Sequence, residues 1–187
     1  MDYRQRIVAA FKELAATRGF SGVTMDELAA HAGVSKRTIY RYFNSKEEII
    51  IIMLEELMNI LKQRVQQVLD SSGSPIEKIM DIVKVIPQII EMIPPFALHD
   101  LQKHYPHLWD RIEQFRAGKI QQVFDSFLSS NEKGYFKNIE PIIITTALLA
   151  GIEAVINPAF IMENNFSIEK TIRSLFTIYF YGILADK

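Results

Sequence analysis

Cysteine is absent from the 187 residues, which excludes disulfides, thiol nucleophiles and cysteine-based zinc or iron–sulfur sites together. The eight glycines are scattered singly, so no glycine-rich loop is present to cradle a phosphate chain. The two most apolar runs, Pro141 to Ile152 and Ser174 to Ala185, fall short of the roughly 20 residues that span a bilayer. No membrane partner is expected. The opening MDYRQRIVAAFKEL interrupts every apolar stretch with acids and bases and so lacks the core of a secretory signal; the expectation is a cytoplasmic protein. Convincing period-2 strands with hairpin turns are missing as well. No nucleophile–base pair is found, so the chain is not expected to be an enzyme, and no catalytic residue, metal or cofactor is assigned.

What is present is apolar residues at helical spacing in nearly every segment, which predicts an all-α chain of about nine helices. The first is expected over Asp2 to Arg18, with Ile7, Val8, Phe11, Leu14 and Ala15 on one face and Gly19 as its stop. Thr24-Met25-Asp26-Glu27 has the form of a capping box opening a short second helix. Gly33 supplies a tight turn, Ser35 caps a third helix to about Phe43, and Ser45-Lys46-Glu47-Glu48 opens a long fourth to about Leu69. Ser74, Pro75 and Glu77 restart the pattern to about Met92. A sixth helix is expected over Phe96 to Tyr105, and a seventh from Pro106 or His107 to about Ser130. A loop at 131–138 is followed by two strongly apolar segments, Glu140 to about Ile156 and Ser167 to about Ala185. Ala147, Ala150, Gly151 and Ala154 put small side chains on the first of these, allowing another helix to approach closely.

The formal net charge of -1 is unevenly spread. Residues 1–48 hold eight Lys/Arg against six Asp/Glu, and the remainder thirteen against sixteen. From Leu28 to Lys46 there are Lys36, Arg37, Arg41 and Lys46 and no acid. Such a local basic face is the electrostatic footprint sought for phosphate binding. Within the third helix, Ile39 and Phe43 lie four apart and share a face that docks inward against Leu28, Ala29 and the first helix. Lys36, Arg37, Tyr40 and Arg41 are left on the opposite surface. A helix anchored on one side and bearing cations and aromatic hydroxyls on the other suits the major groove. Tyr40 and Tyr42 carry hydroxyls for phosphates, Lys46 stands near the positive end of the fourth helix, and Thr24 is a further candidate.

This stretch resembles the TetR/AcrR transcriptional regulators. The resemblance is dense over residues 7–53 and is carried by Gly22-Val23-Thr24-Met25-Asp26-Glu27-Leu28-Ala29, by Ala32-Gly33-Val34-Ser35-Lys36-Arg37-Thr38-Ile39-Tyr40-Arg41-Tyr42-Phe43, and by Ser45-Lys46-Glu47-Glu48. It implies a three-helix helix-turn-helix domain at 1–47 and a helical effector-binding and dimerisation domain at 48–187. It implies base or close groove contacts from Ser35, Lys36, Arg37 and Thr38, and phosphate contacts from Thr24, Tyr40, Tyr42 and Lys46. Position 42 is often histidine in that family; Tyr42 keeps the hydrogen-bonding role without titrating near neutral pH.

For the C-terminal two-thirds the resemblance is structural rather than motif-based. It implies a homodimer through helices at about 140–156 and 167–185, reading a palindromic double-stranded DNA operator, and a pocket among helices four to seven. Met53, Leu57, Met92, Phe96, His99, Trp109 and Phe124, with Phe115 and Phe127, supply large apolar material for a small hydrophobic or aromatic effector whose binding releases a repressor from DNA. His99, Asp100, His104, His107, Asp110 and Glu113 cluster in sequence, but Pro106 interrupts the helix between His104 and His107, and no ligand spacing results. The alternative is a DNA-binding accessory protein with no small-molecule effector, whose C-terminal domain docks a protein partner.

Overall fold

The structure is a computed structural model that describes residues 2–129, 137 and 139–183. Among the described residues the chain is all-α, as expected, with helices α1 (Tyr3–Gly22), α2 (Met25–Ala32), α3 (Lys36–Tyr42), α4 (Lys46–Leu69), α5 (Pro75–Ile90), α6 (Pro95–His104), α7 (Pro106–Ser129), α8 (Pro141–Val155), α9 (Pro158–Glu163) and α10 (Ile168–Ile183). None of them is long and apolar enough to cross a membrane. The tenth helix is α9. It begins because Asn157 Oδ1 accepts from the N–H of Phe160 at 2.8 Å, and Pro158 fills the first helical position, where no N–H is needed. The expected loop at 131–138, apart from residue 137, and the end of the last segment beyond 183 lie outside the described residues.

Local chemistry explains the helix ends. Thr24 caps α2 as expected: its hydroxyl accepts from Glu27 N–H at 3.2 Å, and the Glu27 carboxylate accepts from Thr24 N–H at 3.2 Å. Ser74 and Glu77 close the same box on α5. At α4 the box is altered. Ser45 Oγ accepts from Glu48 N–H at 3.1 Å, but the Glu48 carboxylate reaches back one residue further, to the N–H of Asn44 at 2.6 Å. Gly33 sits at φ 60°, ψ 40° and ends α2, while the Arg6 guanidinium donates to its carbonyl at 2.9 Å.

The chain forms two compact units, residues 1–60 with 93–110 and residues 61–92 with 111–187. In the first, α2 packs on α1, α3 on α2, and α6 on α1. Its core is Ile7, Phe11, Phe20, Val23, Leu28, Ile39, Phe43, Ile49, Ile50 and Leu101, all buried. The unit therefore reaches past residue 47 and takes in a helix distant in sequence. In the second, α10 packs on α5 and α8, and α9 on α8, around Ile79, Ile82, Phe124, Ile144, Leu148, Ile152 and Phe176. Gly151 explains how closely α10 lies on α8: a β-carbon there would stand 3.1 Å from Tyr179 Oη and 3.2 Å from Leu175 Cδ1. The Tyr179 hydroxyl donates to the Ala147 carbonyl one turn earlier.

Gly19 does more than stop α1. Helical structure resumes after it to Gly22, with Gly19 itself at φ 75°, ψ 168°, and α6 approaches so closely that a β-carbon would lie 2.8 Å from Asp100 Cγ. The Asp100 carboxylate accepts from the Ser21 N–H at 2.7 Å and from the Ser21 hydroxyl, and His104 Nδ1 lies 3.0 Å away. Burial pushes this carboxyl up, but the two bonds from Ser21, the neighbouring His104 and the Phe20 backbone outweigh burial and hold it below the usual aspartate value.

Gly19→Ala is expected to destabilise the protein by about 1–3 kcal/mol in urea denaturation, from backbone strain and displacement of Asp100. A carboxyl with a lowered folded-state pKa stabilises fully above its unfolded value, about 3.9, and that contribution fades as pH falls through the folded value. Wild-type stability should therefore drop on acidification below about pH 4. Asp100→Asn should be less stable at neutral pH and show a shallower acid limb.

Candidate nucleic-acid interface

Helix α3 has seven residues, so its placement rests on what surrounds it. Ser35 Oγ accepts from the Thr38 N–H at 3.0 Å and shares a hydrogen bond with Thr38 Oγ1 at 2.8 Å. Ile39 is fully buried and Phe43, which ends the helix, is buried beside it, with the Arg4 guanidinium 5.5 Å from the Phe43 ring centroid. This is the inward face expected from the sequence. On the outward face Lys36, Arg37, Tyr40 and Arg41 are all exposed. Arg37 makes no ion pair among the described residues, so its guanidinium is free to fork onto a base edge or a phosphate.

The remaining candidates differ in how committed they are. The Thr24 and Ser35 hydroxyls are exposed, yet both act in helix caps. Tyr42 is half-buried, its ring stacked on Tyr3 with centroids 6.1 Å apart, and Arg41 lies 5.1 Å from the ring centroid. Lys46 is the most committed. Its ammonium donates to the carbonyls of Ser21 at 2.9 Å and Val23 at 3.1 Å, where α1 ends, and stands 6.0 Å from the Tyr105 ring centroid. Burial depresses the Lys46 pKa, and the nearby Asp100 carboxylate opposes that shift.

Two polar links that the sequence reading missed bear on this face. Lys36 Nζ forms an ion pair with Asp26 at 3.0 Å, although Asp26 lies just outside the acid-free window that begins at Leu28. The other is the bond from Arg6 to Gly33, which ties α1 to the turn. The first spans the ten residues from α2 to α3, and a longer window for charge counting would have exposed it; the second joins residues 27 apart, beyond any local pattern.

The effector candidates divide between the units. Met53 is buried, Leu57, His99 and Trp109 are half-buried and Phe96 is exposed in the first unit. Met92 is exposed, Phe115 half-buried, and Phe124 and Phe127 buried in the second. His99 Nδ1 is a buried nitrogen with no hydrogen-bond partner among the described residues. No three His, Asp or Glu side chains among the described residues gather closely enough to hold a metal ion.

Comparison with known proteins bears directly on this face. The family model described as "Bacterial regulatory proteins, tetR family" matches residues 7–51. The chain is 26% identical over 184 residues to YvaF, an uncharacterized HTH-type transcriptional regulator of Bacillus subtilis, covering 98% of this chain and 96% of that one. It is 27% identical over 161 residues to the nucleoid occlusion factor SlmA of Vibrio campbellii, 82% of each, and 30% identical over 88 residues to the HTH-type transcriptional repressor KstR2 of Mycolicibacterium smegmatis, 47% of this chain and 43% of that one. Among solved structures, a TetR transcription regulator from Haloarcula marismortui superposes with a TM-score of 0.80 at 18% identity, covering 98% and 99% of the two chains. The fatty acid degradation regulator FadR of Bacillus halodurans gives 0.70 at 18% identity, covering 96% and 95%. At such identities the structures establish the shared fold alone.

Lys46→Ala is expected to lower stability by about 1–3 kcal/mol, because it leaves the Ser21 and Val23 carbonyls without their donor in a half-buried place. Urea midpoints measure it. A variant as stable as wild type would mean that water replaces the ammonium.

Proposed function

Because the chain belongs to the tetR family of bacterial regulatory proteins and is a DNA-binding transcriptional regulator, we propose that it is a repressor that binds a palindromic operator as a homodimer and leaves it when a small hydrophobic or aromatic effector binds. The observation that carries the reading is α3: a short helix anchored by Ile39 and Phe43 with Lys36, Arg37, Tyr40 and Arg41 all exposed on its other side. Ser35, Lys36, Arg37 and Thr38 enter the major groove, and Thr24, Tyr40 and Tyr42 meet phosphates. Lys46, with two of its three N–H donors on the Ser21 and Val23 carbonyls, keeps the third for a phosphate.

The homodimer reading is supported by α8 and α10. Ile142 and Ile143 on α8 and Ile178 and Tyr181 on α10 are 66%, 58%, 70% and 85% exposed, far more apolar surface than a free helix pair leaves to water by choice. A two-fold pair of α3 helices spaced about 34–36 Å apart reads two half-sites of a palindrome. The repressor assignment draws on KstR2, and the effector class on the large apolar side chains of Met53, Leu57, Trp109 and Phe124. The unpartnered His99 nitrogen gives such an effector one polar contact. Residues 48–187 carry effector binding and dimerisation, and α4, which begins at Lys46 and runs unbroken to Leu69, transmits the change. One to three kcal/mol of differential binding suffices. SlmA, similar over most of both chains, is named a nucleoid occlusion factor and not a transcriptional regulator, which supports a second reading: a DNA-binding accessory protein with no small-molecule effector, whose C-terminal domain would dock a protein partner.

Arg37→Ala should weaken binding to a duplex selected from a random library by about 1–3 kcal/mol, with a smaller loss on random duplex, in a mobility-shift titration; equal losses would remove Arg37 from base reading. Medium-chain and long-chain fatty acids and aromatic acids, screened by thermal shift, should include one that also releases the selected duplex. Ligands that raise the melting temperature and leave DNA affinity unchanged would overturn the induction reading in favour of the accessory protein.

A further inference from the structure

We infer that Asp26 is a positioning residue for DNA discrimination: it holds the Lys36 ammonium beside the first turn of α2 and keeps it off the phosphates. The inference rests on the DNA-binding reading above and goes beyond it by naming what restrains Lys36. Lys36 is the first residue of α3 and Asp26 the second residue of α2, so their ion pair at 3.0 Å crosses the turn made by Gly33. Gly33 and Arg6 fix that turn, and the Asp26 backbone lies inside the box closed by Thr24 and Glu27. The Asp26 backbone is thus fixed and its carboxylate sits on a short stem, while Lys36 is a four-carbon stem with wide rotamer freedom.

An ammonium has three N–H donors. One goes to Asp26, and two remain for a base edge held in the right place. An unrestrained Lys36 would instead swing to the nearest phosphate, which every sequence offers, and a lysine spent on phosphate adds affinity without information. Asp26 opposes this by tethering the stem through the ion pair. The pair is exposed, with 47% and 78% of the two side chains accessible. It is therefore weak enough to adjust to DNA and adds little to folding.

The test uses Asp26→Asn, which keeps a residue suited to the start of a helix. Affinity is titrated against a random-sequence duplex and against a duplex selected by the wild-type protein, over a range of salt. The random duplex should bind about two- to fivefold more tightly, with the slope of log K against log salt steeper by up to about 0.9. The selected duplex should bind no more tightly than before, so discrimination falls by the same factor. In a Lys36→Ala background the Asp26 change should have no effect. Equal tightening on both duplexes, no change on either, or tightening that persists without Lys36 would each overturn the proposal; the last would mean plain charge repulsion. If selection yields no preferred duplex, the operator reading fails on its own, and the random-duplex arm with its Lys36 control still decides whether Asp26 restrains Lys36.

Discussion

A helix of seven residues cannot hold itself in water, where about 12–15 residues are needed for even marginal stability. Everything α3 presents therefore depends on the burial of Ile39 and Phe43, each contributing roughly 1.5–3 kcal/mol, and on the Ser35 cap that satisfies its first turn. The charged face follows from this anchoring. With the apolar residues drawn inward four positions apart, Lys36, Arg37, Tyr40 and Arg41 have only the outside left. The rest of the first unit supports that one placement: α2 lies behind α3, α1 behind α2, and α6 closes on α1.

The features written locally in the sequence were legible there. Thr24 with Glu27, Ser74 with Glu77, Gly33 and the Ile39–Phe43 pair are each complete within four or five residues, and each is found as expected. Where partners lie far apart, the sequence was silent. Asp100 and Ser21 are 79 residues apart, and no periodicity marks Asp100 as the residue that meets a glycine kink in α1. The same holds for Lys46: its position at a helix start suggested a phosphate, but the carbonyls it reaches belong to the end of α1. α9 escaped because one turn and a half has too little period to register, although its Asn157 and Pro158 are the ordinary signs of a helix start.

Both units close on an apolar core, and the first carries more long-range side-chain links besides. Long-range polar links knit the first one: Arg6 to the Gly33 carbonyl, Lys12 to Glu56, Asp100 to Ser21 and His107 to Glu47. The second is closed mainly by branched and aromatic side chains on α5, α8 and α10, with a close helix approach at Gly151. Acid and salt act on the first kind of contact far more than on the second.

That contrast gives the single tryptophan an unplanned use. Trp109 is the only one in the chain, and it sits half-buried in the first unit. Its emission is thus a private optical channel for the first unit, while helical circular dichroism sums over both. The two signals lose their coincidence whenever the units melt separately, and the gap between them reads out how far the folding of one is independent of the other.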